Sequence, residues 1–149
     1  MRNAVSAIFD TVIFVRSLMN PSGRWGRLIF DRRRDYRLVV SAPVVAEVLE
    51  VIQRPELVRK YRSIGTRDPA AVRTMLASAD VVEIATIPAV GRDPNDAVFL
   101  ATAEAGRVAY LVTEDQDLLV LREYEGTRIV DAVAFLAILD GRGDPDAEP

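Results

Sequence analysis

The densest group of acidic side chains in the sequence follows a short apolar run. Residues Ala109 to Thr113 are predicted to form a buried strand, and Glu114-Asp115-Gln116-Asp117 comes directly after it. Turns and helix caps use one or two Asp, whereas three neighbouring carboxylates repel one another unless a cation relieves the repulsion. Hard divalent cations prefer carboxylate oxygens. The segment is therefore a candidate metal site, with an acidic surface loop as the alternative interpretation.

Two further acids stand beside predicted helices. Asp10 ends the apolar run Val5 to Phe9, which places it at the carboxyl end of a strand; capping of the following helix explains it equally well. Glu47 falls at the border of the apolar face of its helix, where a first-turn acid favoured by the helix dipole is the alternative. Glu50 points away from that face and is predicted to be solvated.

Asp96 is the fourth candidate. It follows Asp93, the predicted N-cap, and Pro94, the predicted first helical residue. Apolar residues follow Asp96 at i+3, i+4 and i+7, so the acid lies on the buried stripe of its helix. A buried carboxylate is costly unless a cation or hydrogen-bond donors compensate it, which favours a functional role over capping.

These acids need a scaffold that brings distant segments together. Strands are predicted at Val5 to Asp10, Arg37 to Ser41, Val81 to Ala85, Tyr110 to Thr113 and Arg128 to Val130. Helices are predicted at Thr11 to Leu18, Trp25 to Arg33, Val44 to Gln53, Glu56 to Tyr61, Ala70 to Ala79, Pro94 to Ala105, Leu118 to Glu123 and Ala132 to Asp140. This alternation predicts an α/β fold with a central parallel sheet of about five strands, whose carboxyl ends collect ligands.

Composition narrows the chemistry. The 149 residues contain no cysteine and no histidine, which excludes disulfides, thiolate nucleophiles, Ser/His/Asp triads and the usual zinc sites. The length predicts one domain, residues 1–140, followed by a flexible tail, residues 141–149. No apolar run approaches the roughly 20 residues of a membrane span, and no signal peptide is apparent, so a soluble cytoplasmic protein is expected.

The charge is unevenly distributed. Residues 1–75 carry 14 Lys and Arg against 7 Asp and Glu, whereas residues 76–149 carry 5 against 15. Arg32, Arg33, Arg34 and Arg37 form the densest basic group, and guanidinium groups suit phosphate. A solvated helix end is the alternative interpretation of this group.

Taken together, these segments resemble the PIN domain superfamily, in particular the toxin components of toxin-antitoxin systems and their VapC relatives. The resemblance covers most of residues 5 to 139 and depends on the order of four short segments. They are Asp10-Thr11 after an apolar strand, Ser41-Ala42-Pro43 leading to Glu47 and Arg54-Pro55, Arg92-Asp93-Pro94-Asn95-Asp96 followed by Phe99-Leu100-Ala101, and Leu111 to Leu119.

The resemblance implies a three-layer α/β/α sandwich and an Mg²⁺- or Mn²⁺-dependent endoribonuclease that hydrolyses RNA with a metal-activated water. It assigns catalysis and metal binding to four acids: Asp10, Glu47, Asp96 and Asp115. Asp117 would be a fifth, outer-sphere metal ligand, and Thr113 would hydrogen-bond within the cluster. The resemblance also implies an RNA substrate bound by Arg residues of the basic half, a cognate antitoxin protein and a homodimer.

Two positions depart from the family pattern. Val12 stands where the family usually has Asn or another small polar residue, and valine cannot orient the first acid or a water by hydrogen bonding. Ala97 stands where an accessory acid or Asn is frequent. An alternative hypothesis therefore remains, in which the chain is a PIN-like binding protein with weak or no catalytic activity.

Overall fold

The computed structural model describes residues 4–64, 69–85 and 94–141. In chain order its elements are β1 (Val5–Phe9), α1 (Thr11–Met19), α2 (Arg24–Gly26), β2 (Tyr36–Val40), α3 (Ala42–Ile52), α4 (Pro55–Ile64), α5 (Pro69–Ala77), β3 (Asp80–Val81), α6 (Pro94–Gly106), β4 (Tyr110–Val112), α7 (Gln116–Leu119), β5 (Glu123–Tyr124), β6 (Thr127–Val130) and α8 (Ala132–Leu139). Helix α2 continues directly as a π-helical stretch over Arg27–Asp31. In the described ranges, no helix is long and apolar enough to cross a membrane.

The sheet contains six strands in the order β3-β2-β1-β4-β6-β5. All neighbouring pairs are parallel except β5 and β6, so the predicted parallel sheet is confirmed, with five parallel strands and one antiparallel edge strand. Strand β5 is not anticipated by the sequence pattern because it is only two residues long. It forms a hairpin with β6 through Glu125 and Gly126, which both have positive φ, as tight hairpin turns require.

Most predicted elements differ from the structure in their bounds by one or more residues. Helix α7 begins at Gln116, two residues before its predicted start at Leu118, because the side chain of Asp115 caps it by accepting the N–H of Asp117. It ends at Leu119 and not at the predicted Glu123, which lies in β5. Strand β3 is shorter than predicted, and α4 extends further in both directions. The predicted N-cap Asp93, and the predicted tail apart from Gly141, lie outside the described residues.

Helices cover both faces of the sheet, which confirms the three-layer arrangement. On one face, the ring of Phe135 in α8 lies 5.8 Å from the rings of both Phe9 and Tyr36. On the other face, α6 packs against β1, β2 and β4, and the hydroxyls of Ser41 and Thr102 are 2.7 Å apart. Because β1 lies between β2 and β4, the segments that follow these three strands meet at one edge of the sheet.

Candidate metal-binding site

A cavity of about 540 Å³ opens at the carboxyl edge of the sheet, and its walls include all four predicted acids. Strands β1 and β4 are neighbours, so Asp10 and Asp115 follow them at the same edge, while α3 and α6 contribute Glu47 and Asp96. The remaining lining residues are Thr11, Val12, Val15, Glu50, Val51, Arg54 and Phe99. Four carboxylates that are separated in the sequence therefore share one cavity.

Asp10 occupies the N-cap position of α1, yet its side chain makes no capping hydrogen bond within the described residues. Its Oδ2 instead accepts a hydrogen bond of 2.7 Å from the hydroxyl of Thr113. Burial raises the pKa of Asp10 to about 6; hydrogen bonds from Thr113 and the Thr11 backbone lower the pKa, and the charges of Glu47 and Asp115 raise it. The geometry thus favours the site interpretation of Asp10 over capping.

Thr113 connects two of the acids. Its buried hydroxyl donates to Asp10 and accepts the backbone N–H of Asp115 at 3.0 Å. The predicted hydrogen bonding of Thr113 within the cluster is confirmed. The hydroxyl of Thr11 donates to Oε2 of Glu47. Each of these two carboxylates is therefore held by a hydrogen bond from a threonine hydroxyl.

Asp96 lies in the first turn of α6 and is 5% exposed, which confirms its predicted position on the buried stripe of that helix. It belongs to the α6 wall of the cavity together with Phe99, one turn further along. A carboxylate buried to this degree beside an acidic cavity is positioned for ligand binding more than for solvent contact.

Glu114 and Asp117, the other acids of the run after β4, do not line the cavity. Oε2 of Glu114 accepts the backbone N–H of Ala132 at 2.9 Å, at the N-terminus of α8, and its Oε1 lies 3.9 Å from the guanidinium of Arg16. Asp117 is exposed and is not among the residues that line the cavity. Its role as a fifth metal ligand stays a prediction, and only Asp115 of this run faces the cavity.

An ion pair forms part of the cavity lining. Arg54 holds Glu50 through two hydrogen bonds of 3.1 and 2.8 Å, and both residues line the cavity. Glu50 is exposed as predicted, yet it borders the site, and no functional role was predicted for Arg54. Their i,i+4 spacing on α3 and its end was the available signal. Val12 also lines the cavity, whereas Ala97 is buried and does not.

The donor set of the cavity suits a hard divalent cation, because four carboxylates offer oxygen ligands and two of them raise the pKa of Asp10 by their charge. As their side chains are oriented, however, no three acids of the described segments form a ready-made metal-binding group. Like charges repel, which favours such spread orientations. Metal binding would require at least one carboxylate to turn inward.

Replacing Thr113 by valine should destabilise the protein by about 1–3 kcal/mol, because the buried N–H of Asp115 and a carboxylate oxygen of Asp10 both lose their partner. Urea unfolding of the metal-free protein measures this change. Thr113→Ser is the matched control, since it keeps the hydroxyl and should stay close to wild type. Equal stability of the valine and serine variants would show that the hydroxyl does not hold the two acids.

A comparison of the chain with models of protein families identifies its family. A model of the PIN domain family matches residues 6–117. The chain belongs to the PIN domain family, whose members are generally nucleases. A comparison with curated proteins finds no match.

Solved structures agree with this assignment at the level of the fold. The crystal structure of PAE2754 from Pyrobaculum aerophilum superposes with a TM-score of 0.55 at 19% sequence identity, covering 95% of this chain and 94% of that chain. A chain in the crystal structure of VapBC2 from Rickettsia felis bound to a DNA fragment from their promoter also has a TM-score of 0.55, at 12% identity, covering 85% of this chain and 98% of that chain. The chain is thus VapC-like in fold.

Proposed function

We propose that this protein is a metal-dependent endoribonuclease that acts as the toxin of a toxin-antitoxin pair. The observation that carries the proposal is the meeting of Asp10, Glu47, Asp96 and Asp115 in one cavity of a PIN domain. The chain lacks histidine and cysteine, so acid-base and nucleophilic chemistry by those side chains is excluded. A carboxylate cluster with a bound cation is an arrangement that suits phosphodiester hydrolysis and needs neither residue type.

In this proposal the four acids hold Mg²⁺ or Mn²⁺. A bound cation of this kind supplies Lewis-acid activation of water and stabilises the charge that develops on the leaving oxygen. Asp10 must release its proton to act as a ligand, and burial, which raises its pKa to about 6 without metal, makes cation binding and proton release compete at this carboxyl. Thr113 and Thr11 keep Asp10 and Glu47 in place through their hydrogen bonds.

The toxin role, the RNA substrate and the protein partners belong to the same proposal. The similarity in fold to a chain of VapBC2, which was crystallised bound to a DNA fragment from their promoter, supports an antitoxin partner for this chain. A homodimer is part of the proposal by resemblance to the same group of toxins. Size-exclusion chromatography with light scattering, alone and with a co-expressed upstream gene product, tests both partners.

One observation favours a second candidate function. Val12 lines the cavity two residues after Asp10, where a polar side chain would orient the acid or a water. A PIN-like protein of this kind would bind metal or a partner at the acidic cavity and cleave RNA weakly or not at all.

Wild-type protein should bind Mn²⁺ in a calorimetric titration at pH 7.5, and should cleave single-stranded RNA only when Mg²⁺ or Mn²⁺ is present. The same RNA incubated with EDTA is the control. Metal binding without cleavage would overturn the nuclease proposal and favour the binding protein. In that case Val12→Asn identifies the cause, because recovery of cleavage would trace the defect to the missing polar side chain.

A further inference from the structure

Two guanidinium groups are stacked on one indole ring beside the acidic cavity. The guanidinium carbons of Arg16 in α1 and Arg24 in α2 each lie 5.1 Å from the centroid of the Trp25 ring. Cation–π contacts of this length favour the position of a guanidinium group over the ring, and binding to the ring face does not use up its N–H donors. The half-buried Trp25 packs against the hydrophobic core, so it gives both Arg residues a rigid support.

The stacked group lies next to the site. Val12 and Val15 line the cavity, and Arg16 follows them on the same helix. Its guanidinium is 3.9 Å from Glu114, the neighbour of the cavity residue Asp115. Arg16 is four residues beyond the cavity residue Val12 on α1, so the two lie on the same side of that helix, and Arg24 is joined to Arg16 through the Trp25 ring.

These two guanidinium groups remain available to an anion. Arg24 is exposed and forms no salt bridge with any described residue, and Arg16 is 45% exposed with only its long contact to Glu114. A long, exposed ion pair contributes little and is easily replaced. By contrast, Arg32, Arg37 and Arg54 are each held by a carboxylate at 2.8 Å or less.

Positive charge beside the acidic cavity would help a nucleic-acid strand to approach it. Four carboxylates repel a polyanion, so a nucleic-acid strand that reaches the cavity needs positive charge beside it. Guanidinium forks bind phosphate oxygens in a bidentate manner, and their fixed orientation reduces the entropy lost on binding.

We propose that Arg16 and Arg24, stacked on Trp25, form a clamp that binds backbone phosphates of single-stranded RNA next to the cleavage site. This inference rests on the proposed nuclease function, because it assigns the clamp to the substrate of the same cavity. The clamp binds charge and not sequence, so it positions the strand without selecting bases.

The test measures RNA affinity in EDTA, where cleavage is not expected, using a fluorescein-labelled single-stranded RNA and fluorescence anisotropy. The double variant Arg16→Gln with Arg24→Gln should lower the affinity about tenfold or more. It should also reduce the slope of log affinity against log salt concentration by about 0.7 for each lost phosphate contact. The matched control is Arg107→Gln with Arg122→Gln, which removes the same charge from two exposed residues outside the basic half of the chain.

Three outcomes decide the matter. A tenfold loss in the clamp variant, with a control that stays within about twofold of wild type, supports the clamp. Equal losses in both double variants overturn it, because net charge then explains the binding. Unchanged affinity in the clamp variant also overturns it, and would be the result if these residues instead serve a protein partner.

Further measurements separate a loss of RNA binding from unfolding and from a loss of cleavage. Melting temperatures exclude unfolding, and the variants Arg16→Lys and Arg24→Lys, which keep the charge but lose the planar fork, should recover part of the affinity. Cleavage in Mn²⁺ is assayed separately. A protein that binds RNA through the clamp without cleaving it would refute the nuclease alone, whereas one that cleaves normally in the clamp variant would refute the clamp alone.

Discussion

Asp10→Asn should abolish metal-dependent RNA cleavage, lowering the rate by at least about 10³-fold. Asparagine has the same size and keeps an oxygen that can accept the hydroxyl of Thr113, so the local structure should survive. What is lost is the negative charge at the strand end where four carboxylates converge. Removing one charged ligand from such a set weakens cation binding, and several kcal/mol of transition-state stabilisation depend on that cation.

The measurement combines an RNA cleavage assay in Mn²⁺ with a calorimetric Mn²⁺ titration of the same variant. Asp31→Asn is the matched control, because Asp31 is an exposed acid at the end of the π-helical stretch and makes the same change in net charge. The control should cleave RNA at the wild-type rate. Cleavage by Asp10→Asn within about tenfold of wild type would remove Asp10 from the reaction.

Without metal, the same substitution should stabilise the protein, and the gain should grow with pH. The folded-state pKa of Asp10 is raised from 3.8 to about 6, mainly by burial. Below about pH 4 the carboxyl is protonated in both states. Between about pH 4 and pH 6 the unfolded chain loses this proton while the buried native carboxyl keeps it, and above pH 6 both states are ionised and the difference grows no further. The wild type therefore loses up to about 3 kcal/mol of unfolding free energy across this window, which asparagine does not lose.

Thermal unfolding in EDTA, compared between wild type and Asp10→Asn from pH 4 to pH 7.5, checks this expectation. The variant should gain melting temperature relative to wild type by about 5–10 °C between the two ends of the range, with most of the gain between pH 4 and 6. Asp31→Asn should show no comparable trend. A difference in melting temperature that stays constant with pH would mean that the pKa of Asp10 is not raised in the native state.

Several features of the site follow from local sequence pattern. Apolar residues at i+3, i+4 and i+7 placed Asp96 on the buried stripe of its helix, and the structure finds it 5% exposed. The end of an apolar run placed Asp10 at the carboxyl edge of a strand, where it lies. Such predictions succeed because the direction of a side chain relative to its own helix or strand is set by the period of that element.

Other features depended on partners far away in the chain. Whether Asp10 caps α1 or faces a cavity was open, because its hydrogen-bond partner Thr113 is 103 residues away. The three acids after β4 looked equivalent, yet Glu114 binds the start of α8 and Asp115 faces the cavity. The antiparallel strand β5 was not predicted. Its two residues carry no strand pattern of their own, and they form a strand because they pair with β6.

The four acids of the metal-site hypothesis were chosen from the sequence by itself, and so was the α/β fold that carries them. Tertiary structure alone decided that they share one cavity, that the hydroxyl of Thr113 binds Asp10, and that Glu114 binds the N-terminus of α8. The physical reason is that strand order and helix packing set which segments meet. Those contacts join residues distant in the chain, and no local period records them.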